Sequence, residues 1–426
     1  MENMKKMAVV AAFAVSLSGF ALAQKVFTSV KVPGSSPNSL IGINNEGQVV
    51  LNTSSSGTHE TSIWSRLSGG QIIALNTTDG SGSGINNVGV VVGAGNPANT
   101  KKVQGFVWQS AGGVQWLPSL GGPLSAASGI NDAGAVVGLS YTATNAQHAF
   151  LWTEAGGTQD LTPDLTSIGG ATAVAIDSTN QVVGYYYPNG SQSTIGFLWT
   201  QEAGLQNLGP AGTLALAINN SGTVVGQSPV AKGYRHAFSW TANGGMQDLG
   251  TLGGAESSAL SINNKGWVVG TSLTNNGTGL LHCFLWTASA GMQDFTVLAG
   301  LGPNEQTYSA QVNDFGVVAI ATNRGGYLLV PKMDATIASS ANPSVLGQPV
   351  TFTATVASIA GPPPDGEIVE FEVSGQVVGS ATLKGGTAQF TTSSIPVGSH
   401  VVWVKYAGDA NYLAATYTSI AQKVNQ

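Results

Sequence analysis

The chain has 426 residues, 58 of them glycine, with only 8% charged side chains and a formal net charge of -6. That length exceeds what one hydrophobic core usually fills, so several domains or one repetitive architecture is expected. The low charge excludes a disordered polyelectrolyte and a coiled coil, and abundant glycine without a three-residue period points to many tight turns. Past the N-terminus no basic run exceeds Lys101-Lys102. A phosphate-backbone footprint needs clustered lysine and arginine, so no nucleic-acid partner is expected. The single cysteine, Cys283, excludes an intramolecular disulfide and a multi-thiolate metal site.

In chain order, residues 1–23 read as a secretory signal peptide. Lys5 and Lys6 precede an apolar run that ends in Ala21-Leu22-Ala23 before Gln24. Cleavage there leaves no cysteine for lipid attachment, and no later apolar stretch is long enough to span a bilayer. The mature protein is expected to be secreted, free in the extracellular medium or held at the cell surface, with no transmembrane segment.

Residues 24–331 are dominated by an internal repeat. The phrase Ile43-Asn44-Asn45-Glu46-Gly47-Gln48-Val49-Val50 returns in variants beginning at Ile85, Ile130, Ile176, Ile218, Ile262 and Val312. A second phrase keeps the same beat and closes on Trp64, Trp108, Trp152, Trp199, Trp240 and Trp286, with Tyr327-Leu328-Leu329 in seventh place. Each unit reads as four short strands. In the sixth, Ser258 to Ile262 turns through Asn263-Asn264-Lys265-Gly266 into Trp267-Val268-Val269-Gly270, then Phe284-Leu285-Trp286 and Met292-Gln293-Asp294-Phe295 follow. Units of about 44 residues leave no room for a crossover helix, which disfavours α/β folds.

The last unit runs from Tyr327-Leu328-Leu329-Val330 into Pro331 without a fourth strand, while Val26 to Val32 is an unassigned strand at the other end. If that segment completes the last sheet, the repeats form an all-β, seven-bladed β-propeller with no open edge. An open solenoid with capping ends is the rival arrangement. The weakened first unit, with Leu51 for glycine and Ser62-Ile63-Trp64, and the seventh, with Ala319 for glycine, keep it in play.

Residues 332–426 carry a different alternation. Strands are expected at Val350–Val356, Ile368–Val373, Val377–Leu383, Thr387–Phe390, His400–Tyr406 and Leu413–Ile420, in a two-sheet sandwich packed around Phe352, Phe371, Phe390 and Trp403.

Two resemblances rest on these phrases. Ile-Asn-Asn-x-Gly-x-Val-Val-Gly, coupled to His148-Ala149-Phe150, His236-Ala237-Phe238 and His282-Cys283-Phe284, resembles the HAF family of bacterial extracellular repeats over about residues 38 to 330. That resemblance implies export and a repeated β scaffold, and brings no established catalytic mechanism or ligand. Gly347-Gln348-Pro349-Val350-Thr351-Phe352, Gly379 to Leu383 and Tyr406 to Tyr412 resemble bacterial immunoglobulin-like domains. That resemblance implies a spacer, display or adhesion module.

Candidate chemistry must be separated from repetition. His148, His236 and His282 share one repeat position and lie in separate units, so they are expected to orient loops or bond to backbone rather than bind metal. Asp160, Asp248 and Asp294 likewise recur and are expected to be surface groups or hydrogen-bond partners within their own sheet, and nothing in their spacing makes a glycosidase pair. The Asn-Asn/Asp-x-Gly segments are expected to be Asx turns rather than calcium loops. Cys283 is expected to be a buried filler. No catalytic, cofactor or metal residue is assigned. The loops between the second and third strands vary most, and one carries Tyr185-Tyr186-Tyr187, whose rings could stack on sugars or anchor a peptide. The expected function is non-catalytic binding or adhesion with an extracellular glycan or envelope protein as partner. A structural envelope component and a secreted polysaccharide-processing enzyme are the alternatives.

Overall fold

The computed structural model describes residues 27–426 except 38, 56–57, 74, 76–78, 99, 101, 164–167, 276–278 and 416–417. The expected signal peptide therefore lies outside the described residues. The repeats form seven antiparallel four-stranded sheets, called sheets one to seven in chain order. The first strands of successive sheets touch all the way round, including those of sheets seven and one, so they line the inside of a ring. Sheet seven takes its first three strands from Thr307–Val312, Val318–Thr322 and Gly325–Pro331, and its outer strand from the N-terminal Phe27–Lys31. The register runs from Phe27 opposite Pro331 to Lys31 opposite Tyr327. The ring is thus closed by hydrogen bonds between its two ends, and the solenoid alternative falls away.

The repeat phrases have distinct physical jobs. In each Asn turn the side-chain oxygen accepts backbone N–H groups ahead of it. Asn263 Oδ1, for example, takes Lys265 N at 3.0 Å and Trp267 N at 2.9 Å. These are the expected Asx turns. The same side chains do something the sequence did not disclose, because their Nδ2 groups reach the next sheet. Asn44 donates to the carbonyl of Asn86, Asn86 to Asn131, Asn131 to Asp177, Asn219 to Asn263, Asn263 to Asn313, and Asn313 back to Asn44, all at 2.9–3.0 Å. Only Asp177, which has no amide, breaks this circle.

The glycine of Val-Val-Gly is fixed by packing. It pairs with the phenylalanine of the Trp strand, as Gly138 does with Phe150. A Cβ on Gly138 would sit 2.0 Å from the Ala126 carbonyl oxygen and 2.9 Å from the Phe150 ring. Sheet one exchanges the sizes, with Leu51 opposite Ser62. In sheet seven the register places Ile320, not Ala319, at the glycine position, opposite Tyr327. Counting from the turn rather than from the Val pair would have shown this.

Residues from Asp334 onward form the sandwich, with a three-stranded sheet facing a five-stranded one. Three details differ from expectation. Strands Asp334–Ser339 and Ser344–Val345 precede the first one expected, and the last strand is Thr418–Asn425 rather than Leu413–Ile420, because Leu413 packs instead against the core between sheets seven and one. Phe352 and Phe371 are fully buried, and Phe390 stacks on Phe371 at 5.5 Å. Trp403 is not in the core. Strand Gly398–Tyr406 alternates, so Val402, Val404 and Tyr406 point inward while Trp403 sits on the outer side.

Candidate binding site

Each unit's Asn turn lies at one rim of the ring, called here the turn side. The variable loops between second and third strands lie at the other, the loop side. Near the loop side, the recurring His and Asp residues meet in pairs. His148 Nδ1 lies 2.6 Å from Asp160, His236 2.9 Å from Asp248 and His282 2.7 Å from Asp294, each linking the third and fourth strands of one sheet. Each pair is twelve residues apart, and where the histidine is lost the aspartate is lost too: Gln104 accompanies Trp116, and Ile195 accompanies Asn207. That joint variation was the available sequence signal for the pairing. His282 also places Nε2 3.1 Å from the Pro303 carbonyl. Both ring nitrogens can donate only in the imidazolium, and the hydrogen bond to Asp294 raises the His282 pKa against the opposing effect of burial.

Among the described residues no cluster of three or more His, Cys, Asp or Glu side chains could hold a metal ion. Cys283 is fully buried, and burial pushes its thiol pKa far up, away from the reactive thiolate.

Sheet four departs from the pattern. Its second strand, Val182–Pro188, carries all three expected tyrosines. Because successive side chains alternate, they do not form one platform. Tyr185 and Tyr187 share a side, with rings edge to face at 6.2 Å, and Tyr187 is 39% exposed. Tyr186 turns the other way, packs among Phe197 and Trp199, and donates its hydroxyl to Asn207 Oδ1 at 3.0 Å. This neutral pair links the second and fourth strands of sheet four across the third, and takes the place that the His–Asp pairs hold beside the fourth strand elsewhere. Beside it, between sheets three and four, runs an open cleft of about 620 Å³. Gln159, Asp160, Thr162, Gln201 and Asn207 give it polar groups, and Tyr186 with Leu205 and Ile168 gives it apolar surface. Sequence reasoning picked Tyr186 and weighed Asp160, but missed the other polar neighbours; together these come from two other strands, a loop and a turn.

Tyr234 and Tyr308 are also exposed on the loop side, at 43% and 39%. The C-terminal sandwich occupies the opposite side, where Asn411 meets the turns of sheets seven and one.

Residues 337–425 match the family model described as bacterial Ig-like domain, group 3. The sandwich is a bacterial Ig-like domain. No match to the extracellular repeat family accompanies it. No curated protein matches the chain. Similar solved structures include the extracellular domain of a hybrid two-component system from B. thetaiotaomicron, 12% identical over 94% of this chain and 58% of that one, with a TM-score of 0.47. This chain therefore spans under two thirds of that protein's length. Others are a streptogramin B lyase, 14% identical over 73% of this chain and 99% of that one, TM-score 0.46, and a gluconolactonase from Xanthomonas campestris, 10% identical over 74% and 93%, TM-score 0.40.

Proposed function

We propose that the protein is a non-catalytic extracellular binding protein whose ring recognises neutral carbohydrate at sheet four and the loop-side surface beside it. The observation that carries this reading is the break in repetition. A side chain recurring in several sheets serves the scaffold, as the Asn turns and His–Asp pairs do. In sheet four, Tyr186 instead lines a cleft whose rim bears amide, carboxylate and hydroxyl groups, and Tyr187 is exposed on the other side of the same strand. Exposed aromatic faces stack on the apolar face of a sugar ring, and carboxamide and hydroxyl groups exchange hydrogen bonds with its hydroxyls. The resemblance of residues 38–330 to extracellular repeats supports export, and the Ig-like domain is a module suited to display.

Binding of the full mature chain to a panel of neutral polysaccharides tests this reading. Saturable binding that falls at least about tenfold in Tyr187→Ala and in Asn207→Ala is expected, from lost stacking and hydrogen bonding. Binding that both variants retain, or turnover of any bound polysaccharide, would contradict it.

A further inference from the structure

Seven copies of one turn ring the turn side, and the Ig-like domain covers them unequally. Its segment Asp409-Ala410-Asn411-Tyr412 reaches sheets seven and one. Asn313 Nδ2 donates to Asn411 Oδ1 at 2.7 Å, and Asn411 Nδ2 donates to the Asn45 carbonyl at 2.6 Å. Asn411 is only 5% exposed. A Cβ on Gly47 would lie 2.9 Å from the Ala410 carbonyl oxygen, and one on Gly316 would lie 2.7 Å from Ala360 Cβ, whereas the equivalent Gly134 of sheet three has open space around it. From sheet six, Lys265 Nζ donates to the Ala360 carbonyl at 2.6 Å. From sheet one, Arg66 approaches the Tyr412 carbonyl at 3.4 Å and faces the charge of Asp409.

The two domains also exchange apolar side chains. Phe315, the only aromatic residue at its place in the seven turns, packs on the core of the Ig-like domain, edge to face with Tyr412 at 5.8 Å. Leu413 packs in return against the core between sheets seven and one. A spacer on a free tether has no reason to trade core residues with its neighbour.

The position of this contact gives it a purpose. The ring has one non-covalent closure, the pairing of Phe27–Lys31 with Gly325–Pro331 in sheet seven. If the N-terminal strand peeled away, the chain would no longer tie sheet one to sheet seven, and within the ring only side-by-side contacts such as Asn313 to Asn44 would hold the two together. The Ig-like domain continues directly from Gly325–Pro331 and grips sheet one through Asn45, Gly47 and Arg66. We propose that it is a clasp, a second fastening across the same closure, rather than a spacer. This inference does not depend on the carbohydrate reading. It also assigns the covered turns to intramolecular binding and leaves the loop side free.

Hydrogen exchange on the full chain and on Asn411→Ala tests the clasp. Amides of Thr28 to Lys31 and of Asp314 should exchange roughly 10- to 100-fold faster in the variant, as expected for losing two buried hydrogen bonds that hold a local opening shut. Amides of Asn87 and Asn131, in sheets two and three, should keep their rates. Protection at Phe371 and Val404 reports that the Ig-like domain remains folded. Arg66→Ala removes a contact from the ring's side and should shift the same amides in the same direction. Unchanged exchange at the closure in both variants, or an equal rise around the whole ring, would overturn the proposal.

Discussion

Replacing Asp177 by asparagine should tighten the ring. Asp177 is 2% exposed and serves its own turn well, accepting Thr179 N and Gln181 N at 2.8 Å. What it cannot do is donate to sheet five. The Asn219 carbonyl takes Gly222 N at 2.9 Å, but among the described residues it receives no side-chain amide from the preceding sheet, unlike its six counterparts. The introduced asparagine would keep the Asx turn with its Oδ1 and add the missing bond with its Nδ2. A buried neutral hydrogen bond contributes about 0.5–1.5 kcal/mol net, so a gain of roughly 1 kcal/mol is expected. The converse change, Asn219→Asp, keeps the turn but removes the donor to Asn263 at 3.0 Å. It leaves the Asn263 carbonyl with Gly266 N at 3.0 Å as its remaining donor and sets a buried carboxylate beside it, so it should cost about 1–3 kcal/mol. Urea unfolding followed by tryptophan fluorescence measures both, and an unchanged denaturant slope keeps the comparison valid. If Asp177→Asn is neutral or destabilising while Asn219→Asp costs nothing, the amide circle is incidental to stability.

Further expectations follow from individual side chains. The raised pKa of His282 means its pair with Asp294 stabilises fully below the ordinary histidine value of about 6.5, and that contribution is lost as pH rises through the raised value. The stability gap between the native chain and His282→Gln should therefore narrow as pH climbs above about 6.5, and a gap that widens would contradict the pairing. Phe27→Ala removes a ring 5% exposed that stands edge to face with Phe295 at 4.6 Å. It should cost about 3–5 kcal/mol in a denaturation experiment, because it empties a core at the ring's closure. Gly226→Ala drives a methyl to 1.9 Å from the Leu214 carbonyl oxygen, so a marked fall in thermal stability is expected, whereas Gly134→Ala should feel only its positive φ. Cys283 should resist a thiol reagent until the chain is unfolded.

Periodicity made the ring legible. The beat of Ile-Asn-Asn and Trp gave the sheets, and the missing fourth strand after Val330 pointed to its substitute at Phe27–Lys31. Strand order inside sheets one to six follows from sequence adjacency, so those were local inferences, and only the closure of sheet seven joins distant parts of the chain. Contacts between units were harder to read. That Asn44 would donate to Asn86 requires knowing how far one turn sits from the next, and spacing along the chain does not contain it. The His–Asp pairs were within reach, since both residues vanish together in sheets two and four. Tyr185 to Tyr187 drew attention as a group, yet strand alternation sends Tyr186 to the opposite side. The cleft beside it is assembled from strands on two sheets, so Gln159 and Gln201 carried no mark. In the Ig-like domain the same alternation removes Trp403 from the core. Size suggested burial, but Val402 and Val404 hold the inward positions.

Calorimetric titration of the full mature chain with soluble neutral oligosaccharides tests the central claim most directly, with Tyr186→Ala and Tyr187→Ala measured beside it. Saturable binding by the native chain, weakened by both substitutions while thermal stability stays near native in Tyr187→Ala, is the predicted result. Binding to no oligosaccharide, or binding indifferent to both tyrosines, would contradict the assignment of recognition to sheet four.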